Sequence, residues 1–561
     1  MSERADEAEP AALGGLNALI EAANPILAAV PQIRHALRHP DPSGLRARLR
    51  AQVEGFERSA LAAGIAQHHA DTARFALCAL LDDSAAATPW GRAWPSLLAE
   101  LHAEKLGGEP FFTLLDELLR RPKRHAELLE FFYVCLALGY EGRYRNGEGG
   151  RQALTQIRAR LYDVITQRQG KKPGELSARW RGAAIGQRRV RGALALWGAT
   201  RWTYHRLLAA LLGGVPRDQD VDLLRKRFEN ALGPLRKARF LPWYLFIGAP
   251  GSGKTTALLN AGLRFPLGDP RTGEQALPDG AGTRDCDWWF TDQAVLVDTA
   301  GRYTTQESGD QADAAAWLGF LDLLKRFRPR EPLNGVIITL SMAELVDGDE
   351  RELARYAGHV RDRVRELYAR LGVRLPIYLM VTKTDLLAGF NEYFSEFDAQ
   401  QRAQAWGTTF DPTEQARGIA ERFREEFARL ERRLYALLPE RLQAARELQK
   451  RATIYRFPQQ FRITGPLIGR FLGAAFGGEW AGEPPFVRGV YFSSGTQEGS
   501  PIDRVLGALA RDFNLERKVQ LSAGGMGKSY FLKRLLNEVV FSESGLAERD
   551  RSLGRLGWDA A

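Results

Sequence analysis

Between residues 11 and about 165, apolar residues recur at spacings of three and four, as from Leu61-Ala62-Ala63 through Phe75-Ala76-Leu77-Cys78-Ala79-Leu80-Leu81. That period lays an apolar stripe along each helix and predicts a helical bundle. Thr88-Pro89, Gly107-Gly108 and Gly147 to Gly150 interrupt it and mark turns. From about 170 to 240 Lys, Arg and Gly dominate, which predicts a connector with short helical pieces. From 243 onward short β-rich runs alternate with helical stretches: Trp243 to Gly248, Asp287 to Thr291, Ala294 to Asp298, Gly335 to Leu340, Pro376 to Val381 and Arg488 to Ser493. Such alternation predicts a doubly wound, mostly parallel sheet. Asp292-Gln293 is too short for a helical crossover, so the second and third runs are expected to pair as an antiparallel hairpin. The charged, amphipathic stretch Glu414 to Arg451 predicts a helical insertion.

The expected fold class is multidomain. An all-α helical bundle (1–180) leads through a basic connector (181–240) to an α/β P-loop core with the layout of Ras-like G domains (241–390). A helical insertion (391–485) follows, then the last strand of the core and a helical C-terminal segment (486–561). At 561 residues the chain exceeds what one hydrophobic core organises.

The most specific chemistry is Gly248-Ala249-Pro250-Gly251-Ser252-Gly253-Lys254-Thr255, which fits G-x-x-x-x-G-K-[ST] directly after an apolar run. A buried strand ending in such a turn points backbone N–H groups at a phosphate and opens into a helix whose N-terminus favours an anion. Gly248, Gly251, Ser252, Gly253, Lys254, Thr255 and Thr256 are therefore candidate nucleotide contacts. Lys254 supplies a point charge to the outer phosphates and the Thr255 hydroxyl a ligand to Mg²⁺. Asp298-Thr299-Ala300-Gly301 matches the D-x-x-G element: its carboxylate reaches Mg²⁺ and the Gly301 N–H a γ-phosphate. Thr283 lies where a switch threonine would close on the metal, which makes Thr255, Thr283 and Asp298 the candidate metal ligands.

Thr382-Lys383-Thr384-Asp385 resembles the [NT]-K-x-D base-reading element, because a carboxylate there accepts two hydrogen bonds that guanine offers and adenine does not. Thr382, Lys383 and Asp385, with Ser494 and Gly495 after the last strand, complete the candidate nucleotide contacts. Where Ras-like proteins carry a water-orienting glutamine this chain has Arg302, which points either to slow or partner-dependent hydrolysis or to a structural switch residue. The candidate catalytic residues are Lys254, Asp298 and Arg302, and the expected cofactors Mg²⁺ with GTP or ATP. Ser522 to Ser529 nearly repeats the loop pattern but lacks its first glycine and a good preceding strand, so it is expected to be an ordinary loop entering a helix from Tyr530 to Val540.

The net charge of +10 is spread over scattered arginines with no nucleic-acid motif beside them, so no nucleic-acid partner is expected. No run of about 20 apolar residues occurs; the nearest, Gly192 to Gly214, carries Arg201, His205 and Arg206. Cys78, Cys135 and Cys286 show no metal or disulfide spacing and argue for a reducing compartment, and the acidic N-terminus lacks a secretory apolar core. The adjacent carboxylates Asp82 and Asp83 end an apolar helix; they serve either a turn or cap with nearby arginines or an acidic docking point for a partner.

Leu241-Pro242-Trp243-Tyr244, Gly282 to Phe290, Asp298 to Gln306 and Arg488 to Gly499 resemble the cytoplasmic domain of the TssM (IcmF-like) family of the bacterial type VI secretion system, over about 240–547. Phe75 to Asp83, Thr88-Pro89-Trp90-Gly91, Gly107 to Phe112 and Ala137 to Arg145 resemble the cytoplasmic bundle of the TssL (DotU-like) family, over about 10–180. These resemblances imply a module on the cytoplasmic side of the bacterial inner membrane that binds and hydrolyses a nucleoside triphosphate and links the membrane complex to the baseplate. The alternative is a nucleotide-binding scaffold without turnover. They also imply other membrane-complex and baseplate subunits as partners, a membrane nearby through elements outside this sequence, and contact between the two halves of the chain.

Overall fold

The computed structural model describes residues 17–102, 108–169, 175–181, 241–265, 286–299, 301, 311–414, 417–480, 483–496, 502–513 and 527–549. The first half is a bundle of α1 (Ala18–His35), α2 (Pro42–Ala62), α3 (Gln67–Ala86), α4 (Leu97–Leu101), α5 (Gly108–Arg120), α6 (Ala126–Ala137) and α7 (Gly150–Gln169). Asn17 Oδ1 accepts from the N–H of Leu19 and Ile20, and Asp41 from that of Gly44, so donors with no partner inside the helix are satisfied where α1 and α2 begin. After Glu127 and Glu130 in its first turns, α6 is apolar on every side and Phe131 to Ala137 are all buried, which makes it the central helix of the bundle.

Asp82 and Asp83 face inward. Asp82 accepts from Trp94 Nε1, Ser96 Oγ and the N–H of Leu97 and Leu98, capping α4. Asp83 pairs with Arg34 at 2.9 Å and Arg145 at 2.7 Å and accepts from Gly142 N–H. Their cap-and-arginine role is the one the structure displays; the docking role is not, because both carboxylates are already satisfied from within the bundle.

The second half is built on a seven-stranded sheet in the order β2-β3-β1-β4-β6-β8-β7. Its strands are β1 (Trp243–Ile247), β2 (Cys286–Phe290), β3 (Val295–Thr299), β4 (Gly335–Ser341), β6 (Pro376–Thr382), β7 (Trp406–Thr409) and β8 (Phe486–Phe492); β5 (Val373–Arg374) and β9 (Glu548–Arg549) pair separately. β2 and β3 form the expected antiparallel hairpin, and β3, β1, β4, β6 and β8 run parallel. Period two splits each strand between two layers. Trp243, Leu245 and Ile247 join one core with α9 (Gln311–Phe327) and α11 (Glu350–Leu371); Tyr244 and Phe246 join another with α8 (Lys254–Asn260) and residues 532–541. Such two-sided burial is why the strands read as continuous apolar runs.

Three expectations change. The insertion is not wholly helical: besides α12 (Ile419–Ala444) and α13 (Leu448–Phe476) it contains β7, which adds to the sheet edge antiparallel to β8. The bundle boundary at 180 falls too late, because residues 175–181 pack on the second half: Gly407 N–H donates to Ser177 Oγ and Thr409 N–H to Arg179 O. The helix expected from Tyr530 starts later, with a π-helical turn over Leu535–Val540, because Tyr530 pairs through its backbone with Ser494. Of the near-repeat from Ser522 to Ser529, residues 522–526 lie outside the described residues.

The halves are in contact. Tyr133 Oη donates to Pro439 O at 2.8 Å, Tyr455 Oη to Asn24 Oδ1 at 2.6 Å, and Arg451 Nε to Ala137 O at 2.6 Å. α14 (Arg504–Phe513) adds a fourth point, with Phe513 O 3.0 Å from His39 Nε2. The expected intrachain docking is therefore present, and it falls on the insertion helices and α14.

Candidate nucleotide site

The loop from Gly248 to Gly253 carries β1 into α8. Gly251 and Gly253 hold φ of 71° and 83°, a left-handed conformation that a Cβ would strain, which is the local reason for glycine there. The loop is tied to neighbouring strand ends. Ser252 Oγ lies 2.8 Å from Thr339 Oγ1, and Thr382 Oγ1 donates to Ser252 O at 2.6 Å. At Gly301 a Cβ would stand 2.3 Å from Pro250 N, so the D-x-x-G turn rests directly on the loop.

β3 delivers Asp298 beside the start of α8, where Thr255 Oγ1 donates to its Oδ2 at 2.5 Å. Asp298 is fully buried and its Oδ1 meets no donor among the described residues. Burial raises its pKa to about 6, against the Thr255 hydrogen bond and the Lys254 charge, which favour the ionised form. Lys254 is buried and turned onto its own loop, donating to Gly248 O at 2.8 Å and Ala249 O at 3.0 Å; burial lowers its pKa. A hydroxyl and a carboxylate in contact, with one carboxylate oxygen unsatisfied, are hard donors of the kind that suit Mg²⁺.

The candidate base-reading element, Thr382 to Asp385, sits next to this loop. Lys383 holds a left-handed φ of 55°, unusual outside glycine. Its Cε lies within 3.8 Å of where a Gly253 Cβ would stand. Thr384 donates its N–H and Oγ1 to Ser493 O, at 3.1 and 3.0 Å, which locks this element to the loop carrying Ser494 and Gly495. Asp385 is buried in the turn that follows, and a Cβ on Gly495 would meet Thr256 Cγ2 at 3.0 Å. The structure thus gathers Gly248, Gly251, Ser252, Gly253, Lys254, Thr255, Thr256, Asp298, Gly301, Thr382, Lys383, Asp385, Ser494 and Gly495 at one end of the sheet. Thr283 and Arg302 lie outside the described residues.

Two residues join the site that sequence reasoning passed over. Glu344, whose carboxylate accepts from Ser341 N–H, is close enough to act on the charges of both Lys254 and Lys383, and burial raises its pKa. Its signal was present as the Ser341-x-x-Glu344 capping box of α10 (Met342–Asp347). Tyr356 on α11 accepts from Ala249 N–H at 3.3 Å and donates to Thr339 O at 2.7 Å. Nothing local in the sequence marks it.

Two family models match the chain: that of the type VI secretion system protein DotU over residues 18–215, and the IcmF-related N-terminal domain over 310–556. Over 340 residues the chain is 49% identical to the type VI secretion system component TssM1 of Pseudomonas aeruginosa, covering 58% of this chain and 31% of that protein. The chain therefore spans about a third of that relative's length. Among solved structures, TssL from Vibrio cholerae is 33% identical, covering 27% of this chain and 95% of its own, with a TM-score of 0.24. The cytoplasmic domain of TssL from Acinetobacter baumannii is 27% identical over 26% and 96%, with a TM-score of 0.25. Asp298 and the phosphate loop lie between the two matched stretches; Thr382 to Asp385 and Ser494 lie inside the IcmF-related one. No helix among the described residues is long and apolar enough to cross a membrane.

Proposed function

We propose that this chain is a nucleotide-binding, nucleotide-hydrolysing scaffold of a type VI secretion membrane complex, in which the IcmF-related half holds Mg²⁺ with GTP or ATP and the DotU-like half contacts further membrane-complex or baseplate subunits. The observation that carries the nucleotide reading is the Thr255–Asp298 contact, with its unsatisfied buried oxygen beside Lys254. The sheet supports it too, since a phosphate loop after β1, an antiparallel β2–β3 hairpin and the order β2-β3-β1-β4-β6-β8 are the layout of a Ras-like G domain. Thr255 and Asp298 would hold the metal, which when bound neutralises charge on the outer phosphates. Lys254 must leave the carbonyls of Gly248 and Ala249 to meet a phosphate, an exchange that replaces neutral acceptors with charged ones. Asp385 would read the base, with GTP the better fit.

A scaffold that binds without turnover is the second reading, because the chain carries Arg302 where the water-orienting glutamine stands. Calorimetry with Mg²⁺ and each nucleotide tests binding: Lys254→Ala should abolish it in a protein that remains folded, and unchanged affinity removes the proposal. Steady phosphate release that disappears in Lys254→Ala supports turnover. Retained nucleotide without release supports the scaffold.

A further inference from the structure

Away from the nucleotide site, a polar cavity of about 160 Å³ lies between the end of β7 and the first turns of α12, where residue Arg179 of the 175–181 segment also reaches it. Four arginines and four carboxylates line it, so its walls are neutral in sum. They are not evenly paired. Glu426 holds Arg179, at 2.9 Å, and also Arg429; Glu425, together with Glu421, holds Arg417. Asp411 accepts from Thr413, and Glu414 is exposed.

Arg422 is left over. It is only 6% exposed, forms no ion pair among the described residues, and its Nε meets no acceptor. One terminal nitrogen reaches Asp411 O at 3.5 Å, and the guanidinium lies 5.2 Å from the centre of the Phe410 ring. Burial lowers its pKa, although guanidinium remains charged at any physiological pH. A buried cation facing a polar space, whose nearest acting carboxylate, Glu414, is exposed and forms no ion pair with it, is costly unless an anion completes it.

We infer that this cavity binds a small oxyanion of the phosphate class, held by Arg422 from α12 and by Arg179 from the 175–181 segment, which shares its guanidinium with Glu426. Its volume has room for one phosphate group with bridging waters. Because its two arginines lie far apart in the sequence, the bound anion clasps the 175–181 segment onto the IcmF-related insertion. None of the residues assigned to the nucleotide site lines it.

Titration calorimetry of the full chain with inorganic phosphate, against chloride at equal ionic strength, tests the assignment. Saturable binding is expected in the unaltered protein and in Lys254→Ala, with a weakening of about tenfold or more in Arg422→Gln, the usual consequence of removing a charged hydrogen-bonding partner. Arg179→Gln alters a half-exposed side chain, so it should fold normally and weaken phosphate a few-fold even if Arg422→Gln does not fold. Glycerol 3-phosphate, which carries the headgroup chemistry of an anionic lipid, separates the sources: equal or weaker binding supports a free anion, and tighter binding assigns a phosphate ester to the same cavity. Phosphate binding that vanishes in Lys254→Ala while surviving both arginine changes places the anion at the phosphate loop and overturns the inference. Absence of saturable binding in the unaltered protein does so as well.

Discussion

Asp298→Asn should make the nucleotide-free protein more stable and the site worse at its work. Burial raises the Asp298 pKa to about 6, whereas an aspartate in an unfolded chain titrates near 4. The folded state therefore holds this proton more tightly than the unfolded one. Its contribution to stability is greatest below about pH 4 and declines until about pH 6, above which it stays at its floor. Two pKa units at about 1.4 kcal/mol each set a ceiling of about 3 kcal/mol by which the ionised carboxylate opposes folding at pH 7. Asparagine keeps the shape, still accepts from Thr255 Oγ1 and carries no charge. The variant should thus melt several degrees higher at pH 7, with the advantage falling to roughly half at pH 5 and vanishing near pH 4. Mg²⁺-dependent nucleotide affinity should fall in the same variant, because the hard anionic donor is gone. Scanning calorimetry at the three pH values and nucleotide titration at pH 7 read the two effects. A melting temperature at or below that of the unaltered protein at pH 7, or an unchanged Mg²⁺-nucleotide affinity, refutes the reasoning.

Asp385→Ala should remove any preference for GTP over ATP while leaving the phosphate contacts alone; competition titrations that show no preference in the unaltered protein reduce Thr382 to Asp385 to a structural turn. Asp83→Ala should cost about 1–3 kcal/mol in urea unfolding, since it removes the more buried of the two carboxylates that Arg34 and Arg145 share and leaves Glu141 to serve both; a stability change within about 0.5 kcal/mol would return Asp83 to the surface roles. Solution scattering should fit one compact particle, given the contacts of Tyr133, Tyr455 and Arg451 across the halves; a profile that demands separated lobes contradicts the docking.

The features legible in the sequence were those whose physics is local. Gly251 and Gly253 announce left-handed backbone, a two-residue link forces the β2–β3 hairpin, and an apolar run buried on both faces marks a central strand such as β1. None of these needs knowledge of a distant partner. Tertiary structure decided what depends on one. For Asp82 and Asp83 the sequence leaves a cap with nearby arginines and a docking point both open, and the choice is made only when α4, Arg34 and Arg145 close around them. β7 is too short to declare itself as a strand, and becomes one because the edge of β8 offers it a ladder. Tyr356 enters the phosphate loop from a helix more than a hundred residues on. Arg422 is one arginine among many on an amphipathic helix; that Glu425 and Glu426 are spent on other arginines, leaving this one buried without an ion pair, follows only from which side chains the fold brings within reach of one another. Backbone conformation and apolar period are set by neighbours in the chain, whereas pairing and burial are set by neighbours in space, and in this chain those lie tens to hundreds of residues away.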